Sequence, residues 1–84
     1  MKKIPSMNWD KLLELKNTNR IDNLYVEYYQ YAEGNDTRVV AEIGGNTFDA
    51  YAECSPKDKY IKPYGRNVAA GRLLKILRTK GYIG

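Results

Sequence analysis

Arg38-Val39-Val40-Ala41-Glu42-Ile43-Gly44-Gly45-Asn46-Thr47-Phe48-Asp49-Ala50-Tyr51-Ala52-Glu53-Cys54 is the stretch whose reading decides the fold. Side chains of a strand point alternately to its two faces. Here Val39, Ala41 and Ile43 alternate with Arg38 and Glu42, and then Phe48, Ala50, Ala52 and Cys54 alternate with Asp49, Tyr51 and Glu53. Two strands, each with one inward and one outward face, are expected over 38–43 and 47–54. Gly44-Gly45-Asn46 joins them, because a tight hairpin connection needs the positive φ that glycine adopts without strain. Cys54, on the inward side, reads as a small buried hydrophobe rather than a reactive thiol.

Working toward the N-terminus, residues 24–32 alternate in the same way. Leu24, Val26 and Tyr28 point one way, and Tyr25, Glu27, Tyr29 and Tyr31 the other. Glu33-Gly34-Asn35-Asp36 reads as the turn into the next strand, which completes a three-stranded meander. Before it, Ser6 or Asn8 can cap a helix that carries Asp10 in its first turn, where the macrodipole favours negative charge. Trp9, Leu12, Leu13 and Leu15 are its candidate core residues, with Trp9 read as a core anchor, and Asn17-Thr18-Asn19 stops it.

Toward the C-terminus, Ser55 to Pro63 holds two prolines and reads as a loop, in which Ser55-Pro56 followed by Asp58 can start one short helical turn. The stretch 64–78 then forms an amphipathic helix. At about 100° per residue Ala69, Leu73, Ile76 and Leu77 share one stripe, while Asn67, Gly71, Arg72, Lys75 and Arg78 fall opposite. Pro63 suits a first helical turn and Gly81 the position just past the end. The expected fold is α+β, a single domain over 1–84 with the order α-β-β-β-α, both helices sharing one face of an antiparallel meander.

At 84 residues the chain buries only about 60–65% of the surface its unfolded form exposes, so the core is small and a partner or second copy would add stability. No apolar run approaches the ~18–20 residues needed to cross a bilayer, and Met1-Lys2-Lys3-Ile4-Pro5 lacks the apolar stretch of a secretory signal. One cysteine excludes an internal disulfide and favours a reducing compartment. The absence of histidine removes the commonest general base and metal ligand, and the ten carboxylates show no pairing pattern, so neither an enzyme nor a metal site is expected. The formal charge of +4 biases the chain toward anionic partners.

Cations and aromatics interleave where the loop enters the last helix: Lys57, Lys59, Tyr60, Lys62, Tyr64, Arg66 and Asn67, with Arg72, Lys75 and Arg78 continuing the charge. Helix N-termini favour anions and a guanidinium binds phosphate through two parallel bonds. Tyr60, Lys62, Tyr64, Arg66, Asn67, Arg72 and Lys75 are therefore the candidate ligand-binding residues, for a phosphate-bearing ligand with a flat ring, and Gly71 leaves room for its close approach. Tyr25, Tyr29, Tyr31 and Tyr51 fall on the sheet face away from the helices. They read as ordinary cross-strand pairs, as a homodimer seam or as a ring-stacking surface.

Two resemblances bear on function. Ala52-Glu53-Cys54-Ser55-Pro56-Lys57-Asp58-Lys59-Tyr60, followed by Gly65-Arg66 and Ala69-Ala70-Gly71-Arg72, resembles the Thoeris anti-defence sponge proteins of phages over the C-terminal half of the chain. That family is implied to form oligomers that sequester cyclic nucleotide signals made by bacterial immune enzymes. The resemblance implies a homodimer or larger assembly without a cofactor, in the cytoplasm of an infected or lysogenic bacterial host. The site residues follow from local chemistry and not from the family: Arg66, Arg72 and Lys75 are expected to meet phosphate and a tyrosine the ring. The second resemblance is to the double-stranded RNA-binding domain, which shares the element order; Lys62, Arg66 and Ala69-Ala70 fall close to its basic and Ala-Ala positions. It implies nucleic acid as the alternative partner; a protein-inhibiting accessory domain, acting on a host defence protein as an anti-CRISPR does, is the other alternative.

Overall fold

The computed structural model describes residues 6–54 and 59–83. The expected helical turn after Ser55-Pro56, the side chain of Lys57 and the segment Met1–Pro5 lie outside these. The element order is α1 (Met7–Asn17), β1 (Asn23–Tyr31), β2 (Gly34–Ile43), β3 (Asn46–Cys54) and α2 (Lys62–Thr79). The strands form one antiparallel sheet in the order β1-β2-β3, so β1 and β3 are both edges. This is the α-β-β-β-α arrangement anticipated from the hydrophobic alternation.

The two-residue hairpin between β2 and β3 is closed by the pair Ile43↔Asn46, and its Gly44 and Gly45 both have positive φ, 55° and 81°. Those angles are what makes the connection twist with the strands. The first hairpin is tighter than the composition implies. Tyr31 pairs with Gly34, so only Ala32 and Glu33 turn, while Asn35 and Asp36 belong to the ladder opposite Gln30 and Tyr29. Gly34, at φ 144°, lets β2 begin at once, and a run of turn-forming residue types became strand because cross-strand pairing outweighed it.

Leu24, Val26 and Tyr28 of β1, Thr37, Val39 and Ala41 of β2, and Phe48, Ala50 and Ala52 of β3 stand in register on the helix-covered face. Against them pack Leu12 and Leu15 of α1 and Ala69, Ala70, Leu73, Leu74 and Leu77 of α2. Leu13, expected inside, is 38% exposed; α1 turns only one narrow stripe inward, and Leu12 and Leu15 occupy it. On the other face Val40 is also fully buried, in the row Tyr25–Val40–Asp49.

Both helices stop in the same way. Arg20 N–H donates to Leu15 O (2.8 Å) and Asn19 N–H to Lys16 O (3.2 Å), with Asn19 at φ 63°. At the other helix Tyr82 N–H donates to Leu77 O (2.9 Å) and Gly81 N–H to Arg78 O (3.0 Å), with Gly81 at φ 82°. These paired bonds satisfy last-turn carbonyls in a Schellman arrangement. The chain beyond α2 then folds back so that Tyr82 meets Phe48, ring centroids 5.0 Å apart.

A cleft between the edge of β3 and the second helix

α2 buries two stripes. One, with Ala69, Leu73 and Leu77, rests on the sheet as the apolar stripe requires. The other, containing Asn67, Ala70, Gly71 and Leu74, meets α1, and this overturns the placing of Asn67 and Gly71 on an outer face. Asn67 is 9% exposed. Its Oδ1 accepts from the N–H groups of Asn8 (2.9 Å) and Trp9 (3.2 Å), and its backbone oxygen accepts from Asn8 Nδ2 (3.3 Å). Asn67 thus caps α1 from another helix, while Ser6, whose hydroxyl donates to Asp10 Oδ2 (2.9 Å), bonds no first-turn N–H of α1. A Cβ at Gly71 would stand 2.6 Å from Asn8 Nδ2, so the room this glycine leaves belongs to α1 and not to a ligand.

The other expected binding residues divide between two sides of α2. Lys62 Nζ sits 5.0 Å from the centroid of the Tyr28 ring, and the Arg66 guanidinium 4.9 Å from that of Trp9. Cations over ring faces are held electrostatically, so these two side chains tie α2 to β1 and to α1. Arg66 Nε is buried with no hydrogen-bond partner among the described residues. Lys75 is exposed farther along the helix.

Tyr60, Tyr64 and Arg72 converge instead on a cleft of about 360 Å³ at the β3 edge. Its walls are Ala52, Glu53 and Cys54 from the end of β3, Lys59, Tyr60 and Ile61 from the extended approach to α2, and Tyr64, Gly65, Val68 and Arg72 from the helix. The spacing Tyr64, Val68, Arg72 is i, i+4, i+8, one stripe along about two turns. Glycine at position 65 lets the first turn of α2 pack this close to β2, since a Cβ would lie 2.7 Å from Thr37 Oγ1. The buried Thr37 hydroxyl and the Tyr60 hydroxyl are 2.9 Å apart, which pins the approach segment to β2.

Arg72 Nη1 donates to Tyr51 O at 2.7 Å. Tyr51 is on an edge strand, and its carbonyl points away from β2 to meet this guanidinium. One of five guanidinium donors is thereby used, which tethers an exposed cation in the cleft lining. Tyr64 is 53% exposed, and its ring offers a flat wall. The charged groups of the lining are Lys59, Arg72 and Glu53, two cations against one carboxylate. Ile61, Val68 and Glu53 were not singled out from the sequence, although the four-residue spacing about Val68 carries the signal.

The expected oligomer residues Tyr25, Tyr29, Tyr31 and Tyr51 do share the open sheet face. Across β1-β2-β3 its rows read Asn23–Glu42–Thr47, Tyr25–Val40–Asp49, Glu27–Arg38–Tyr51 and Tyr29–Asp36–Glu53. Arg38 binds Glu27 (2.6 Å) and Asp49 (2.8 Å) and lies 5.9 Å from the Tyr51 ring centroid. Tyr29 donates to Glu27 (2.8 Å) and stacks on Tyr31 with centroids 6.3 Å apart. The bonds from Arg38 and then Tyr29 hold the Glu27 carboxyl below its ordinary value of 4.5, and acceptance by Glu27 pushes the Tyr29 phenol above 10.0.

Among the described residues no group of His, Cys, Asp and Glu is placed to hold a metal ion, and no helix is long and apolar enough to cross a membrane. Comparison with known proteins returned no match to any family model, curated protein or solved structure.

Proposed function

We propose that the chain is a binding protein that holds an anionic, ring-bearing small molecule of the nucleotide type in the cleft between β3 and α2. The observation that carries this is the convergence of Tyr64, Tyr60 and the tethered Arg72 guanidinium on one concave site with apolar walls. Pockets of this kind use apolar and aromatic walls for most of the contact and a few fixed polar groups for orientation. Tyr64 takes the ring, Arg72 and Lys59 take phosphate, and Tyr60, already fixed by Thr37, shapes the floor. The likeness of Gly65-Arg66 and Ala69-Ala70-Gly71-Arg72 to phage sponge proteins supplies a setting, sequestration of a cyclic nucleotide immune signal. Of that motif only Gly65 and Arg72 line the cleft; Arg66, Ala69, Ala70 and Gly71 serve packing.

The test is a thermal-shift panel against cyclic ADP-ribose isomers, cyclic di- and trinucleotides and a short RNA duplex at two salt concentrations. A ligand that binds only the native state stabilises it by RT ln(1 + [L]/Kd). A selective shift that survives moderate salt and disappears in Arg72→Glu and in Tyr64→Ala supports the proposal. A shift with duplex alone that vanishes in salt, as counterion release requires, would replace it by nucleic-acid binding, and no shift with any cyclic nucleotide would sink it.

A further inference from the structure

The open sheet face carries a second and separate chemistry. It exposes Tyr25 (38%), Tyr51 (46%) and Tyr31 (54%) over strands that also present Glu27, Asp36, Glu42, Asp49 and Glu53, with Arg38 as the one cation among the described residues of the strands. Five carboxylates against one guanidinium make this face formally −4 on a chain of +4. α2 has the reverse pattern, with Lys62, Arg66, Arg72, Lys75 and Arg78 and no carboxylate. Among the described residues the open sheet face and α2 therefore carry opposite charge.

Two details point to what the face accepts. Asp36 and Glu53 stand directly opposite each other across β2 and β3. Neither has an ion-pair partner among the described residues, where Arg38 is committed to Glu27 and Asp49. Like charges directly opposed in a sheet are destabilising, and a cation brought from outside relieves that repulsion. The rings beside them are ordered in advance: Tyr29 is held by Glu27, Tyr31 is stacked on Tyr29, and Tyr51 lies by Arg38. Ring faces attract guanidinium groups, and side chains already fixed lose little freedom on binding.

We propose that this face is the docking surface for an arginine-rich surface of another protein, such as one built to bind nucleic acid, with guanidinium groups seated between the exposed tyrosine rings and the Asp36–Glu53 pair. A second copy of this chain docking face to face is disfavoured by the same chemistry, since it would oppose one −4 surface with another. The proposal does not depend on ligand binding in the cleft, which opens at the edge of β3 and shares only Glu53 with this face.

The experiment titrates 15N-labelled protein with capped octa-arginine and octa-lysine peptides. Octa-arginine should bind several-fold tighter than octa-lysine, with shifts confined to open-face residues such as Tyr31, Asp36 and Tyr51, and Tyr51→Ser should erase the preference at unchanged charge. Asp36→Asn should weaken octa-arginine while raising the unfolding midpoint, a pairing that a purely structural residue would not produce. Equal affinity for the two peptides, or shifts scattered over both sides of the molecule, would reduce the face to a bulk charge effect and overturn the proposal. So would sedimentation showing concentration-dependent self-association that Tyr51→Ser abolishes, because the face would then belong to a second copy.

Discussion

Asn67 caps a helix to which it does not belong: its Oδ1 lies 2.9 Å from the backbone nitrogen of Asn8, in the first turn of α1. The first N–H groups of a helix have no partner within it. Replacing the capping side chain by alanine leaves two of them facing a buried gap between helices. Asn67→Ala is expected to cost about 1–2 kcal/mol, a fall in midpoint of roughly 4–8 °C per kcal/mol for a domain of this size. Asn67→Asp keeps the acceptor at a positive helix end and should lose less. Thermal unfolding by circular dichroism decides between them.

Gly65 and Gly71 look alike in sequence and are expected to respond differently to alanine. At Gly65 the new methyl meets the buried, β-branched Thr37 at 2.7 Å. Overpacking of about 1–3 kcal/mol then exceeds the ~1 kcal/mol of helix propensity gained. Adding Thr37→Ala should recover part of the loss, a non-additivity that a double-mutant cycle measures. At Gly71 the methyl meets the amide end of Asn8, which can swing aside, and the change should be nearly neutral.

The Glu27 carboxyl titrates below its ordinary value of 4.5 because Arg38 and Tyr29 bond its ionised form. A carboxyl with a depressed folded-state pKa stabilises the fold above its unfolded value and loses that contribution as pH falls through the folded one. The stability advantage of wild type over Glu27→Gln should therefore be full at neutral pH and shrink steadily below pH 4.5. Tyr29 behaves oppositely: its raised phenol favours the fold below pH 10.0 and the benefit is lost above it. In an alkaline NMR titration the Tyr29 ring should ionise late, and Glu27→Gln should move it earlier.

Arg66 and Arg72 separate the two roles that their sequence context merges. Arg66 lies over Trp9, so Arg66→Ala should lower stability by about 0.5–2 kcal/mol and leave ligand affinity unchanged. Arg72→Ala should leave the midpoint nearly unchanged, because Arg72 is exposed, and weaken binding of an anionic ligand. Tyr64→Ala should weaken it further, by the about 1–3 kcal/mol that a stacked base contributes. Calorimetric titration with the nucleotide giving the largest thermal shift checks all three.

The architecture was legible because alternation in Val39–Ala41–Ile43 and Phe48–Ala50–Ala52–Cys54 has no helical alternative, and because Pro63 and Gly81 bracket the long helix. The site was legible only in part. A helical wheel ranks positions by one hydrophobic direction, whereas α2 contacts both the sheet and α1. Asn67 and Gly71 therefore looked external until the position of α1 was known. Cations on rings leave no local pattern either, since Trp9 and Arg66, or Tyr28 and Lys62, are far apart in the chain. That Tyr64 and Arg72 share one wall of the cleft was legible because an aromatic and a guanidinium two turns apart are local to one helix.

The most direct measurement is a 1H–15N titration of the protein with cyclic ADP-ribose and with cyclic di-AMP, read residue by residue. Saturating shifts concentrated at Lys59, Tyr60, Ile61, Tyr64, Gly65 and Arg72, with at least one of the two ligands and absent in Arg72→Glu, are the expected result. Shifts centred on Lys75 and Arg78, or no saturable shift at the β3–α2 cleft with either ligand, would contradict a nucleotide site there.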